Sequence, residues 1–287
     1  MLGAGTFCPH RRWPFAEMTR PLSLSYYTVP ELSPLETVAV AAQAGCSHVG
    51  LRLLGGQPGG GEMPLLLDPA LQADLLEAMA DTGITALDAN TARIVPETRV
   101  ADYIPFLDAA ARLGARHVMA SVDDAERDRS IDNIAGLCEL AAERGLTVDL
   151  EFVPWMALND LAAAADMVRA CNRDVLGIAV DTLHFHRSGS SVEALALLPR
   201  RWFRYAQLCD APATGTPPSR DRLIHEATKE RLLPGAGDID LAGILRALPG
   251  NIPLALEIPQ TALATRMDAA GRVSRAVAAT RRLLDRV

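Results

Sequence analysis

Four polar residues stand at the ends of apolar, strand-like runs in the second half of the chain. Glu151 ends TVDLE, Asp181 ends LGIAVD, Gln207 lies in RYAQLCD and Glu257 ends PLALE. If these side chains were buried together without a cation, the three carboxylates would repel one another and lose favourable hydration. Carboxylate and amide oxygens are ligands that Mg²⁺ and Mn²⁺ prefer. We therefore predict that the four residues bind one divalent metal ion, with Mn²⁺ or Mg²⁺ favoured.

Such an ion with flanking carboxylates suits the removal of a proton from a carbon next to a carbonyl, the step that begins isomerisation, epimerisation and β-elimination. In an epimerase, Glu151 and Glu257 would lie on opposite sides of the substrate, one removing a proton and the other returning one to the opposite face. In a dehydratase, His184 would act on the leaving hydroxyl, and Arg231 or Arg52 would hold a carboxylate group.

Trp155 in FVPW and His186 in HFHRSG are further candidates for the substrate pocket, because either ring could stack on a sugar face. Each has a structural alternative. Trp155 could simply roof the pocket, His186 could be an ordinary loop residue, and Arg52 could pair with a loop acid. Asp149, two residues before Glu151, should point inward one layer deeper, and the sequence offers no partner for it.

A scaffold must bring these distant strand ends together. Strand-like runs occur near 22–27, 48–54, 85–89, 116–122, 147–152, 176–181, 203–209 and 253–258, and helix-like segments separate most of them. Eight alternations in about 265 residues favour an α/β fold, a single closed (β/α)8 TIM barrel, over an open doubly wound sheet. The first strand also lacks the glycine fingerprint of a dinucleotide-binding fold. In a parallel barrel the carboxyl ends of all strands open on one face, where the four predicted ligands would meet.

Local signals mark the ends of elements and the longer connections. Ser33-Pro34 predicts the start of a helix that ends at Gly45, and Ser130 predicts the start of one that ends at Gly145. Two longer stretches, 55–64 and 211–230, are predicted as loops at the barrel mouth, where they could form a mobile flap or a subunit contact.

Composition limits the classes of function. The formal charge of −7 disfavours nucleic acid as a partner. No apolar stretch approaches the ~20 residues of a membrane span. The five scattered cysteines form no C-x-x-C, which favours a reduced, cytoplasmic setting without a thiolate metal site. We expect residues 1–20 to be a poorly ordered extension and 21–287 to form the barrel. A small molecule is the expected partner, and assembly into a homo-oligomer stays open.

Five motifs follow one another in order: LEFVPW, DTLH, QLCDA, RLLPGAGDID and LEIP. With them, from about Pro21 to its end, the chain resembles the xylose isomerase-like TIM barrel proteins, often called sugar phosphate isomerases/epimerases. The resemblance implies that the four strand-end residues named above bind one divalent metal. It also implies that His184 faces the substrate and that Arg231 grips it.

One departure from the family pattern concerns Gln207. Members similar to tagatose 3-epimerase, inosose isomerase or xylose isomerase place histidine there, whereas some similar 3-dehydroshikimate dehydratases place glutamine there. An all-oxygen site should favour Mg²⁺ or Mn²⁺ over Zn²⁺. No glycine-rich phosphate cradle is evident after the last strands, so we expect an unphosphorylated substrate.

The first functional hypothesis is a metal-dependent isomerase or epimerase acting on a keto-sugar or cyclitol. The alternatives are a metal-dependent dehydratase, which is a lyase of the 3-dehydroshikimate dehydratase type, and a non-catalytic metal-binding barrel that serves as a scaffold or ligand-binding subunit. A Schiff-base aldolase is disfavoured because the only lysine, Lys229, does not end a strand.

Overall fold

Eight parallel strands close into a barrel in the order in which they occur along the chain. The computed structural model describes residues 20–55 and 61–287. The strands are β1 (Leu22–Leu24), β2 (His48–Arg52), β3 (Thr85–Ile94), β4 (His117–Val122), β5 (Thr147–Glu151), β6 (Leu176–Asp181), β7 (Ala206–Leu208) and β8 (Leu254–Leu256). Strand β1 pairs with both β2 and β8, which closes the barrel. The predicted single (β/α)8 TIM barrel is confirmed.

Helices surround the strands. In the described residues they are α1 (Pro34–Ala44), α2 (Pro64–Leu67), α3 (Pro69–Thr82), α4 (Ile104–Arg112), α5 (Arg127–Ala142), α6 (Leu161–Cys171), α7 (Thr182–Arg187), α8 (Val192–Ala196), α9 (Arg220–Lys229), α10 (Leu241–Ala247), α11 (Thr261–Ala264) and α12 (Ala269–Leu284). Every residue of β6 is buried, because helices cover the outer face of the barrel and side chains fill its interior. A short 3₁₀ helix, Tyr26–Thr28, follows β1.

Helix α1 begins and ends where the sequence predicts. The Ser33 hydroxyl accepts a hydrogen bond from the Glu36 backbone N–H, and the Glu36 carboxylate accepts one from the Ser33 backbone N–H at 2.8 Å. This reciprocal pair is a capping box. Gly45 ends the helix in the left-handed conformation, with φ of 80°.

The predicted start of α5 is wrong by three residues. The helix begins at Arg127, because the Glu126 carboxylate accepts a hydrogen bond from the Arg129 backbone N–H at 2.9 Å and so caps it. Ser130 therefore lies inside the helix. The predicted stop is close, since the helix ends at Ala142 and Gly145 follows with φ of 70°.

The two predicted mouth loops have different outcomes. The stretch 211–230 is not entirely loop, because α9 occupies its second half. In the stretch 55–64, residues 56–60 lie outside the described residues, as do residues 1–19 of the predicted N-terminal extension. In the part of the chain that is described, no helix is both long and apolar enough to cross a membrane.

The barrel interior is polar one layer below the strand ends. Asp149 is fully buried and accepts hydrogen bonds from Arg204 Nη1 at 2.9 Å and Thr147 Oγ1 at 3.1 Å. Arg204 is thus the partner that the sequence does not reveal. Asp88, also buried, accepts a hydrogen bond from Asn90 Nδ2 at 2.8 Å. This layer carries charge where barrels more commonly carry branched apolar residues.

Candidate metal and active site

The strand ends bring the four predicted metal ligands to the same end of the barrel. Glu151 ends β5, Asp181 ends β6, Gln207 lies in β7 opposite Asp181 in register, and Glu257 directly follows β8. All four are buried. The potential ligand atoms of Glu151, Asp181 and His184 lie within 4.8 Å of one another. A histidine therefore lies beside two of the carboxylates.

The DTLH segment explains how Asp181 and His184 come together. Asp181 is the N-cap of α7, and its Oδ1 accepts hydrogen bonds from the backbone N–H groups of Leu183 at 2.7 Å and His184 at 3.2 Å. This cap places the third residue of the helix beside the strand end. His184 Nε2 lies 3.8 Å from Glu151 Oε1, and the Trp155 ring packs edge-on against the imidazole at 5.2 Å. Trp155 therefore contacts the site through His184.

Arg231 provides the counter-charge for two of the carboxylates. It is only 3% exposed. Its Nη1 lies 2.6 Å from Asp181 Oδ2, its Nη2 lies 3.3 Å from Glu257 Oε1, and its Nε donates to the Ala227 carbonyl at 3.0 Å. In this arrangement the guanidinium is engaged on all sides by the protein. The structure thus places Arg231 on the predicted metal ligands, whereas the resemblance implies that it grips the substrate.

Two acceptor atoms at the site have no partner among the described residues. Gln207 Nε2 donates to Glu257 Oε2, which also accepts from Ser25 Oγ at 2.8 Å. The other atom of that amide, Gln207 Oε1, is buried without a hydrogen bond, and so is His184 Nδ1. Buried polar atoms usually have hydrogen-bond partners, so these two atoms indicate a partner that the described residues do not supply. Three carboxylates, an amide oxygen and an imidazole nitrogen form a donor set that fits a divalent metal ion.

The protein environment shifts the pKa values of these groups in different directions. Burial raises the pKa of Glu151 well above its usual value, and the charges of Glu257 and Asp181 raise it further. Burial also raises the pKa of Glu257, although Arg231 opposes the change. Burial would raise the pKa of Asp181, but Arg231 and His184 outweigh it and the pKa is lowered. Burial lowers the pKa of His184 to about 4, so its imidazole is neutral at neutral pH and can act as a ligand.

Arg52 lies at the end of β2, at the same end of the barrel. It is 7% exposed, and its guanidinium stands over the rings of Tyr26 at 5.6 Å and Tyr27 at 5.1 Å. A cavity of about 650 Å³ beside the mouth is bounded by both tyrosines and by Lys229 of α9. His186 is half-buried on α7, and no polar contact joins it to the predicted ligands in the described part of the chain.

Sequence reasoning missed the role of Asp210. Its carboxylate accepts hydrogen bonds from the backbone N–H groups of Gly235 at 2.9 Å, Gly237 at 2.9 Å and Ile239 at 3.2 Å. A side chain at Gly237 would collide with Asp210 and the adjoining backbone. The RLLPGAGDID motif therefore folds around Asp210, which holds the segment carrying Arg231 against the end of β7. The spacing of the glycines in this motif could have indicated this role of Asp210.

The xylose isomerase-like TIM barrel family model matches residues 38–282. The chain belongs to this family. It is 28% identical to inosose isomerase from Bacillus subtilis (strain 168) over 160 residues, which are 52% of this chain and 55% of that protein. It is 30% identical to 3-dehydroshikimate dehydratase from Pseudomonas aeruginosa over 131 residues, 44% of this chain and 20% of that protein. The chain thus spans about half the length of the first relative and a fifth of the second.

Solved structures of family members share the fold. The crystal structure of the IOLI protein with a bound zinc atom superposes with a TM-score of 0.79 at 21% identity, covering 93% of this chain and 98% of that one. The probable 3-DHS dehydratase AsbF from Bacillus anthracis gives a TM-score of 0.69 at 15% identity, covering 91% and 98%. The similar proteins include inosose isomerases and 3-dehydroshikimate dehydratases.

Proposed function

We propose that the protein is a divalent-metal-dependent isomerase or epimerase of a small polyhydroxylated carbonyl compound, a keto-sugar or a cyclitol. The similarity to inosose isomerases supports an activity of this class. The observation that carries the proposal is the group of buried carboxylates at the barrel mouth, next to two acceptor atoms without partners, Gln207 Oε1 and His184 Nδ1. A divalent cation among the carboxylates would balance their charge and would provide a partner for Gln207 Oε1.

The proposed metal ligands are Glu151, Asp181, Gln207 and Glu257. We favour Mn²⁺ or Mg²⁺ because these side chains offer only oxygen. His184 is a neutral imidazole within reach of the same space, so it is the residue that could add nitrogen and raise the affinity for Zn²⁺. When bound, the ion would polarise the substrate carbonyl and stabilise the negative charge that develops on its oxygen.

The two glutamates have environments suited to proton transfer. Glu151 accepts no hydrogen bond from the described residues and its pKa is raised by burial, so it can take a proton from the substrate carbon. Glu257 is held by Ser25, Gln207 and Arg231, which fixes its position for returning a proton from the other side. Arg231 keeps Asp181 and Glu257 in place, and a direct contact between Arg231 and the substrate remains part of the proposal.

Three pocket residues complete the proposal. His184, supported by Trp155, would hydrogen-bond a substrate hydroxyl through its free nitrogen. His186 is kept as an outer pocket residue.

The protein is proposed to act in the cytoplasm without nucleic acid. The described cysteines are unpaired and buried, as a reduced setting allows.

Dehydration is the second candidate function. Similarity to 3-dehydroshikimate dehydratases and a glutamine at position 207 both favour it. The first step would be the same proton removal, and the hydroxyl group of the neighbouring carbon would then take up a proton and leave as water, with His184 or a neighbour acting on that hydroxyl. A non-catalytic metal-binding barrel is the third hypothesis.

A single panel of assays distinguishes the three functional hypotheses. Mn²⁺-loaded protein is incubated in D₂O with keto-sugars, with inososes and with 3-dehydroshikimate, and NMR records deuterium uptake at carbon and new products. Exchange with an isomeric product supports the isomerase, and loss of water supports the dehydratase. Chelation should abolish either reaction. Tight Mn²⁺ binding with no exchange on any compound would contradict both enzymes and favour the non-catalytic barrel.

A further inference from the structure

Arg52 is a buried cation without an acidic partner. It is 7% exposed, yet it forms no ion pair with any carboxylate in the described part of the chain. Its hydrogen bonds are long, 3.4 Å from Nη1 to Thr91 Oγ1 and 3.3 Å from Nη2 to the Tyr27 hydroxyl. A guanidinium has five N–H donors, so most of the capacity of Arg52 is unused.

Other buried arginines of the protein do have acidic partners. Arg231 pairs with Asp181 and Glu257, and Arg272 pairs with Glu31. Burying a charge is costly unless another charge or a ligand compensates for it. The isolation of Arg52 is therefore a feature that needs an explanation.

Two tyrosine rings hold the guanidinium in place. It stands over Tyr26 at 5.6 Å and over Tyr27 at 5.1 Å, and the two rings pack edge to face at 5.4 Å. Contacts with ring faces stabilise the cation only in part, and they leave the edge of the guanidinium, which carries the N–H groups, for another partner. The site is thus positioned before any ligand arrives.

The position of Arg52 relates it to the candidate active site. It ends β2 as Glu151 ends β5, and its register partner on β3 is Asn90. Arg52 and the proposed proton-transfer group therefore lie at the same end of the barrel, where Arg52 Nη2 also contacts the Tyr27 hydroxyl.

The other cations near the mouth are less suited to bind an anion. Arg231 already uses its three nitrogen atoms on Asp181, Glu257 and the Ala227 carbonyl. Lys229, the only lysine of the chain, is exposed on α9. Within the described residues, Arg52 is the buried cation at the mouth whose donors are available.

We propose that Arg52 binds a carboxylate of the substrate, so that the substrate is a polyhydroxylated carbonyl compound that also bears a carboxylate. A guanidinium forms two parallel hydrogen bonds to a planar carboxylate, and the paired tyrosine rings favour a planar group beside it. The inference rests on the proposed metal-assisted chemistry and, within the polyhydroxylated carbonyl compounds proposed above, favours hydroxy-keto acids over the neutral keto-sugars and cyclitols.

The test compares 3-dehydroshikimate with its methyl ester, in which a methyl group removes the charge of the carboxylate. Calorimetry with Mn²⁺-loaded protein should give an affinity for the acid about 10- to 100-fold higher than for the ester. Arg52→Gln should remove that preference by weakening binding of the acid and should leave binding of the ester within about twofold. Arg52→Lys, which keeps the charge but loses the fork, should give an intermediate preference.

Lys229→Gln is the matched control, because it removes a positive charge beside the same mouth and should leave the preference intact. Equal affinity of the native protein for acid and ester, which requires no variant to fold, would overturn the inference. So would a preference that persists in Arg52→Gln.

The same samples distinguish failure of this inference from failure of the proposed function. If Mn²⁺ binds and a neutral inosose exchanges deuterium, but the acid is not preferred, the proposed function stands and the role of Arg52 is wrong. If Mn²⁺ does not bind, the proposed function fails, and the acid and ester affinities measured without metal still decide the role of Arg52.

Discussion

Asp181 serves two neighbours with its two carboxylate oxygens. Oδ1 caps α7 and so positions His184, while Oδ2 pairs with Arg231. Because Oδ1 already accepts two hydrogen bonds whereas Oδ2 accepts one, a lone pair of Oδ2 stays available for a cation. One residue therefore links the helix that carries the candidate acid–base histidine to the arginine that neutralises the site.

The residues that end the strands at the site could be predicted from the sequence, but the contacts among their side chains could not. The positions of Glu151, Gln207 and Glu257 follow from the strand pattern alone. The hydrogen bond from Gln207 to Glu257, and the closure of Arg231 onto two carboxylates, depend on side-chain rotamers and on the loop that Asp210 folds. Local sequence does not determine such contacts between residues that are far apart in the chain.

Replacing Glu257 by glutamine tests the role proposed for it. Glu257→Gln keeps the size of the side chain but removes a metal ligand and a proton carrier, so turnover of the substrate found by the assay panel should fall by about 10²- to 10⁴-fold. Circular dichroism should show an intact fold. Ser25→Ala, which removes one hydrogen bond to Glu257, should cause a smaller loss. Activity retained in Glu257→Gln would contradict the assignment.

Replacing Gln207 by histidine tests the basis of the metal preference. Gln207→His adds an imidazole to a site that offers mainly oxygen, so metal should still bind while the ratio of Zn²⁺ to Mn²⁺ affinity rises. Competitive metal titration of both proteins measures that ratio. An unchanged ranking of metals would show that the amide does not set the preference.

Asp88 should make stability depend on pH. Burial raises the pKa of Asp88 to about 7, and the hydrogen bond from Asn90 only partly opposes this. The unfolded chain releases that proton near pH 3.8, whereas the folded protein keeps it to about pH 7. The contribution of Asp88 to stability is therefore present below the unfolded value and is lost as pH rises through this window, by on the order of 4 kcal/mol at most.

Asp88→Asn should remove this dependence. Relative to the native protein, the variant should gain stability between about pH 4 and about pH 7 and level off above that, as measured by urea unfolding at a series of pH values. A difference between the two proteins that stays constant across this range would show that Asp88 titrates normally.

At the scale of elements, helix ends with standard caps were predictable and polar helices were not. Helix α1 has Ser33, Pro34 and Gly45 at the expected places, and its ends are confirmed. Helix α9 was missed, because RDRLIHEATK is mostly polar and follows a stretch rich in proline and glycine. Tertiary contacts, including one made by the buried Glu226, stabilise it.

The main such contact of α9 is a buried ion pair with α7. Arg187 Nε lies 2.8 Å from Glu226 Oε2, Arg187 Nη2 lies 2.9 Å from Glu226 Oε1, and both side chains are 2% exposed. Arg187→Met would leave the glutamate buried and unpaired, so it should destabilise the protein by roughly 3–5 kcal/mol. The double variant Arg187→Met/Glu226→Met should recover most of that loss, and urea unfolding measures both.

Arg222 provides the control for this pair. It lies 3.9 Å from the same glutamate but is 52% exposed, so Arg222→Gln should change stability by less than about 0.5 kcal/mol. A double variant as unstable as Arg187→Met alone would mean that the helix needs the charges themselves.

At the scale of the whole molecule, closure of the barrel turns scattered residues into one site. The order β1 to β8 was predictable because strand-like and helix-like patterns alternate along the chain. The substrate was not predictable, because substrate binding depends on how connections such as Tyr26–Thr28 place side chains around the mouth. The pairing of Arg52 with two tyrosine rings arises only there.

We propose above all that the mouth of this barrel binds one divalent ion. Crystals grown with Mn²⁺ and measured for anomalous scattering test it most directly. We expect a single strong peak bounded by oxygens of Glu151, Asp181, Gln207 and Glu257. A map without a peak there, or with those side chains turned away from one another, would contradict it.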